Sequence, residues 1–373
     1  PQTPNPKPQT PNPLKGCNFS CRTKSESRKT NDYKMSKLLL LVAGAVSAAV
    51  IAAFFLNSSD SLNLEVTKKF VAYQKEFGKK YETLEETAYR RSIFEKSLKL
   101  IEEHNAKDSG FELGLNPFAD QTFEELSNRY LTKLAKSDDP SKCEKQCVKN
   151  GMKNDERKVD WANLGKVSSV KNQGQCGSCW AFSAVGALEA AHAIYGQDKE
   201  VQSLSTQELV DCSKEYKNEG CNGGLMNFAF DYVLDHHLNL DSDYPYKGVG
   251  GKCQTSKIGE GKRGIKSCVH VEGTIAGLVD AVRHSPVSIG MYASPLFFLY
   301  RSGVYDPWFC GGEANHGVLA VGFDLDHAKP HLRVKNSWGT LWGNHGYFQI
   351  ALGKEPRGTC DIIGNGFNYY PVV

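Results

Sequence analysis

The sequence predicts an α+β fold of two packed subdomains behind a separate, mostly helical region. Three observations carry this. Across residues 178–285 apolar residues recur at helical spacing. After Pro286, short apolar and β-branched runs alternate with glycine-rich turns, which is the pattern of antiparallel strands. Helices first and strands later point to segregated halves with a cleft between them. The third observation is a polar stretch, residues 133–158, containing Pro140 and Gly151. It reads as an exposed linker and places a boundary before Val159.

Taken in order, residues 1–37 open with a repeated "PQTPNP" and form a low-complexity tail, expected to be disordered. Residues 38–56, "LLLLVAGAVSAAVIAAFFL", are uncharged and long enough to span a bilayer as a helix. Lys24, Arg28, Lys29, Lys34 and Lys37 precede the run, while Asp60 and Glu65 follow it. That bias puts the tail in the cytosol and the rest in a lumen. An uncleaved type II anchor is the expectation; a leader cleaved after starting at Met35 is the alternative. The sequon Asn57-Ser58-Ser59 would then be lumenal. Residues 64–107 are helical in pattern, with Phe70, Tyr73 and Phe77 on one face and Ile93, Phe94, Leu98 and Ile101 on another. "FELGLNPFAD" reads as a short strand and turn, and "QTFEEL" opens a short helix.

Beyond the boundary, helices are expected over 178–195, in "SLSTQELVDC" with a capping box of Ser205 and Glu208, in "LMNFAFDYVLDHH" and in "TIAGLVDAVRHS". "VSIGMYA", "GVLAVGF", "HLRVKNSW" and "GYFQIAL" are the strands. A net charge of +3 is too near neutral to imply a nucleic-acid partner. Twelve cysteines, eight of them from Cys176 onward, point to an oxidising compartment and several disulfides.

The chemistry concentrates in "NQGQCGSCWAF". Its C-x-x-C has three readings: half a zinc site, a redox dithiol, or a structural cysteine beside a reactive one. Cys179 begins an apolar helix, where first-turn N–H groups and the helix dipole favour a thiolate. A thiolate nucleophile needs a proton partner. Of ten histidines, His316 stands out at the start of the apolar strand "HGVLAVGF". Asn336 ends the next strand, where an antiparallel neighbour sets its amide against the His316 ring, and Trp338 would shield that hydrogen bond.

Three blocks in this order, "NQGQCGSCWAFSAVGALE", "NHGVLAVGF" and "VKNSWGTLWGNHGY", resemble the papain-like cysteine proteases of the cathepsin L type. The resemblance covers residues 66–373, with "LSTQELVDC", "GCNGG" and "YPY" also in place. It implies a papain-like fold, with a helical left subdomain and a β-barrel-like right one, and a monomeric endopeptidase without cofactor or metal. Cys179 would be the nucleophile, His316 the acid/base, Asn336 its orienting partner and Gln173 an oxyanion-hole donor. Gly223 and Gly224 would line the cleft for protein and peptide substrates. Leu225, Met226, Gly290, Ala314 and Trp338 would complete the substrate-binding set and favour an apolar P2 residue. Asn365 is the candidate for the floor of that pocket. Cys176 would pair with Cys221, Cys212 with Cys253, and Cys310 with Cys360.

The first region resembles the subfamily's inhibitory propeptide, through Glu86, Arg90, Phe94, Ile101 and Asn105 on one helix, and Gly114, Asn116, Phe118 and Asp120 after it. Ser97 stands where that pattern has asparagine. The chain is therefore expected as a zymogen: tail 1–37, anchor 38–56 as the membrane contact, propeptide and linker 64–150, and peptidase 156–373. It would be activated at acidic pH in a lysosome-like or vacuolar compartment. Cys268 has no family partner and reads as a buried free thiol. Cys143 and Cys147 read as a local linker disulfide.

Overall fold

The structure is a computed structural model that describes residues 63–132, 134, 141–145, 156–196, 198, 200–259, 261 and 263–373. The apolar run 38–56, the sequon, Cys17, Cys21 and Cys147 lie outside the described residues. Among the described residues no helix is long and apolar enough to cross a membrane. Thr67–Val373 form one compact unit.

The propeptide region is built on two helices, α1 over residues 63–76 and α2 over Leu84–Asn105. Thr83 caps α2 by accepting the Glu86 N–H, and Glu85 and Glu86 stand favourably at the positive end of the helix dipole. The predicted face of α2 is the one buried: Ile93, Phe94, Leu98 and Ile101. Phe94 packs on Phe70 at 5.3 Å and on Tyr73 at 4.9 Å between ring centroids. Asp120 gathers this unit from below. It accepts from Tyr73 Oη at 2.8 Å, Lys79 Nζ at 2.9 Å and Tyr81 Oη at 2.7 Å. Strand β1, Phe111–Leu113, is pinned by Asn105, whose amide donates to Leu113 O and accepts from Leu113 N. Helix α3, Phe123–Tyr130, starts with a complete capping box between Thr122 and Glu125.

After β2 (Glu144–Lys145) and β3 (Lys158–Asp160) come the helices of the first half. These are α4 (Cys179–Tyr195), α5 (Thr206–Cys212) and α6 (Met226–Asp235). Then β4 (Ser267–His270), α7 (Ile275–His284), β5 (Val287–Met291), α8 (Pro295–Phe298) and β6 (Tyr300–Tyr305) lead into the second half. It is completed by β7 (His316–Asp324), β8 (His331–Lys335), β9 (Tyr347–Ala351) and β10 (Tyr369–Val372). The sheet order is β1-β6-β9-β8-β7-β5-β10-β4-β2, with β3 pairing β7. α4 is nearly all buried, because alanine, glycine and serine on its surface let it lie directly on β7.

The four predicted strands pair antiparallel as expected, β5 with β7, β7 with β8 and β8 with β9, while the unpredicted β6 and β2 add parallel pairings to β9 and β4. Several expectations need correction. At α5 only half of the capping box forms. Ser205 accepts the Glu208 N–H, but the Glu208 carboxylate is drawn away to Tyr232 Oη and Asn239. The linker is not uniformly exposed, since Leu134 is buried. Cys143 is bonded to Cys268, so neither the local Cys143–Cys147 bridge nor the free Cys268 thiol holds. Parallel pairing of β2 with β4 sets Glu144 opposite Val269 and brings the two cysteines together.

Arg90 Nη1 donates to Glu125 Oε2 at 2.8 Å, joining α2 to α3. Burial pushes the Glu125 carboxyl up, but the Arg90 hydrogen bond and the Thr122 N–H hold it below its ordinary value. A depressed carboxyl stabilises the fold above its ordinary titration range, and that contribution is lost as pH falls through the lower folded value. Glu125→Gln should therefore cost the propeptide about 1–2 kcal/mol at neutral pH and flatten its loss of stability on acidification. Thermal melts of the zymogen at pH 7 and pH 4 check this.

Candidate active site

α4 begins at Cys179, with Ser178 as an N-cap that makes no side-chain capping bond. The Cys179 and Trp180 N–H groups of the first turn therefore remain to act on the sulfur. Cys179 Sγ also accepts the Gly317 N–H at 3.4 Å, from the start of β7. His316, the preceding residue, is fully buried. Its Nε2 lies 2.8 Å from Asn336 Oδ1, and that oxygen also accepts the Ser337 N–H at 2.8 Å. Two donors identify the oxygen of the amide, so His316 carries its proton on Nε2. Its Nδ1 has no hydrogen-bond partner and keeps a free lone pair. The antiparallel pairing of β7 with β8 brings this pair together across twenty residues. Trp338 stacks on the His316 ring at 4.7 Å, covering the bond.

Gln173 is fully buried. Its Oε1 accepts from Ser337 Oγ at 2.8 Å, and its Nε2 donates to Cys176 O at 2.9 Å and Tyr130 O at 3.0 Å. Tyr130 ends the propeptide helix α3, so a propeptide carbonyl occupies this amide. The chain then crosses the cleft. Thr132 N–H donates to Asn315 O, Thr132 Oγ1 donates to Asn222 O, and Leu134 N–H donates to Ala314 O at 3.1 Å. At Gly223, whose φ is +133°, an added Cβ would fall 2.0 Å from Thr132 Oγ1. Only glycine admits the chain there. Gly224 is held against the Trp180 ring.

The pocket residues gather around Leu134. It shares one apolar cluster with Leu225, Met226, Ala314 and Phe367. A Cβ on Gly290 would sit 3.2 Å from Leu134 Cδ1. Asn365 does reach this wall: its side chain donates to Gly290 O at 2.7 Å and is itself buried. Met226 lies deeper, behind Gly317 and Trp180. Sequence reasoning missed Tyr130, Thr132 and Leu134 as occupants of the cleft. It also missed Ser337, which orients Gln173. Phe118, from the propeptide block, meets the Trp338 ring at 5.5 Å. The propeptide block is otherwise placed as its pattern suggests. Asn116 donates to Phe298 O, and Gly114 packs on Arg301.

Cys176 is bonded to Cys221, Cys212 to Cys253 and Cys310 to Cys360. Cys179 is the free cysteine among the described residues. A redox dithiol is thereby excluded for C-x-x-C, because Cys176 is already bonded elsewhere. The expected low thiol pKa does not hold in this closed form. Burial pushes Cys179 up to about 11, outweighing the N–H groups of Gly317, Trp180 and Cys179 itself. Burial likewise pushes His316 down to about 4, against the hydrogen bond with Asn336. With a thiol at about 11, roughly one molecule in a thousand is ionised at pH 8. Iodoacetamide at pH 8 should therefore label Cys179 at least about 100-fold more slowly in the intact zymogen than after propeptide removal, as read by peptide mass spectrometry.

Residues 156–369 match the papain family cysteine protease profile, and residues 70–126 match the cathepsin propeptide inhibitor domain. The chain is 40% identical over 313 residues to the probable cysteine protease RD21B of Arabidopsis thaliana, covering 80% of this chain and 65% of that protein. It is 37% identical over 320 residues to the cathepsin L-like proteinase of Fasciola hepatica, covering 82% and 92%. The digestive procathepsin L2 of Tenebrio molitor superposes with a TM-score of 0.75 at 32% identity, over 83% of this chain and all of that one. With its buried thiol, its imidazole–amide pair and a cleft filled by its own N-terminal region, the chain belongs to the papain family of cysteine proteases and is a zymogen with a cathepsin-type propeptide.

Proposed function

We propose that Cys179 is the nucleophile of an endopeptidase, with His316 as acid/base, Asn336 as its orienting partner and Gln173 as an oxyanion donor. One observation carries this reading. The single free thiol among the described residues starts a buried helix beside an imidazole whose second nitrogen is held by an amide. Removal of the propeptide lets water and substrate reach both groups. The burial that holds the thiol up and the imidazole down is then relieved, and a thiolate–imidazolium pair forms.

Cys179 Sγ attacks the substrate carbonyl carbon, and the oxygen takes up the negative charge. Gln173 Nε2 and the Cys179 N–H donate to that oxygen. The Tyr130 carbonyl already on Gln173 Nε2 supports this role, because it is a peptide oxygen at hydrogen-bond distance from the same donor. His316 gives its proton to the departing amine, leaving a thioester. Water, deprotonated by His316, attacks the thioester carbonyl; the S–C bond breaks, the acyl group leaves as a carboxylic acid, and the sulfur recovers its proton from His316.

Leu134 against Gly290 and Ala314 supports an apolar P2 preference, with Leu225 and Met226 in the same apolar cluster. Four disulfides among the described residues support folding in an oxidising lumen. We take the acidic, lysosome-like or vacuolar compartment as the working site, reached through residues 38–56 as a type II anchor. Alkaline extraction of membranes from expressing cells tests that anchor, which should keep the chain in the pellet.

Activated enzyme should hydrolyse a peptide with leucine at P2, and Cys179→Ala should abolish this; undiminished turnover in that variant would sink the mechanism. Gln173→Ala should lower kcat about 10²–10³-fold with the cleft still able to bind peptide. Gly290→Val should raise KM for leucine at P2 and favour smaller P2 side chains, measured with a matched substrate pair.

A further inference from the structure

Both end strands of the sheet come from outside the region that matches the peptidase. β1 belongs to the propeptide, and β2 precedes the matched region, which begins at residue 156. The two are held very differently. β1 is held by non-covalent contacts alone. β2 continues a segment fixed to the peptidase by a covalent bond, Cys143–Cys268, with Cys268 fully buried on β4. The same segment is seated on α6. Asp231 Oδ1 accepts the Lys142 N–H at 3.0 Å and Ser141 Oγ at 3.3 Å. Lys142 Nζ pairs with Asp235 at 2.6 Å and lies 5.8 Å over the Tyr216 ring. Asp231 also stands near both sulfurs, but these are bonded to each other and offer no metal site.

We propose that the segment carrying Cys143 stays on the peptidase domain after activation. The inhibitory domain is then freed only by a cut on the N-terminal side of Cys143. This rests on propeptide removal as the activating step. A cut between Cys143 and Arg157 opens the main chain but leaves the propeptide joined through the disulfide. Leu134, in the cleft, is nine residues from Cys143, so the tethered inhibitor remains at an effective concentration of about millimolar and rebinds. A cut between Leu134 and Cys143 leaves residues 141–145 behind as a short chain, or an N-terminal extension, that keeps β2 on β4. The mature enzyme is then larger than the matched domain, and its sheet retains one borrowed strand.

The test uses the full zymogen carrying Cys179→Ser, processed at acidic pH by added pepsin so that no activity of this chain is needed. Thiols are blocked with N-ethylmaleimide before analysis. Intact-mass spectrometry without reductant should show the peptidase domain with the Cys143 segment attached, and reduction should release that segment from molecules that pepsin has also cut between Cys143 and Arg157. In Cys143→Ser the molecules cut on both sides of residue 143 should lack that segment without reduction. A peptidase domain lacking the Cys143 peptide before reduction overturns the proposal. So does labelling of Cys268 by N-ethylmaleimide in denatured but unreduced zymogen. The second readout needs no processing, and the first needs no variant at Cys143, so a folding defect in that variant leaves both decisive.

Discussion

The molecule depends on how closely α4 can lie against β7. A Cβ on Gly186 would come within 2.9 Å of Leu319 Cδ2, and one on Gly317 within 3.2 Å of the Trp180 Cα. Ser183 Oγ donates to Val318 O at 2.7 Å, and Ser288 Oγ donates to Ser183 O at 2.9 Å, stitching helix to sheet. Because the two elements touch backbone to backbone, the first residue of one and the first of the other share a site. A bulkier pair of surfaces would hold the same side chains too far apart for one N–H to reach the Cys179 sulfur. The cleft, the proton partner and the oxyanion donors all inherit their spacing from that contact.

Covering the cleft is an electrostatic device as well as a steric one. The propeptide chain removes water from two groups whose productive forms are both charged, so each retreats to its neutral form. The same covering layer joins the aromatic roof. Phe118 meets Trp338 edge-on, while Phe298 stacks on Trp338 at 4.5 Å and His316 lies on its other side. The propeptide therefore rests on the very ring that protects the imidazole–amide bond. Its departure exposes that ring to water but leaves Phe298 in place as a permanent layer.

Much of this was legible in the sequence because it is written locally. Cys179, His316 and Asn336 sit in dense motifs, and α2 shows its buried face through plain periodicity at Phe94, Leu98 and Ile101. The parts that were not legible depend on distant partners. Leu134 is a lone apolar residue in a polar stretch, and only the arrival of Gly290 and Ala314 gives it a pocket. Cys143 and Cys268 are 125 residues apart, with a nearer candidate at Cys147. β6 carries Arg301, Ser302 and Gly303, so it lacks the apolar alternation that marks a strand. β10 contains Pro371, which is tolerated because β10 pairs β5 only at Tyr369, so no partner strand on that side calls for a Pro371 N–H. The thiol pKa was misread for a similar reason. A helix start is a local feature, whereas burial is the sum of everything packed around it.

Strand β1 of the propeptide closes the β6 edge of the sheet. With the propeptide gone, the backbone groups of Tyr300–Tyr305 on that side lose their partners, and the sheet acquires a raw edge. Such an edge is a template for any extended chain, whether a second copy or an inhibitor. Gly303, at φ +84°, bends the strand out of regular extension, and Arg301 beside it is exposed and charged. Both features discourage indiscriminate strand addition. They suit a surface that is made to be covered once, during biosynthesis, and afterwards left open to water.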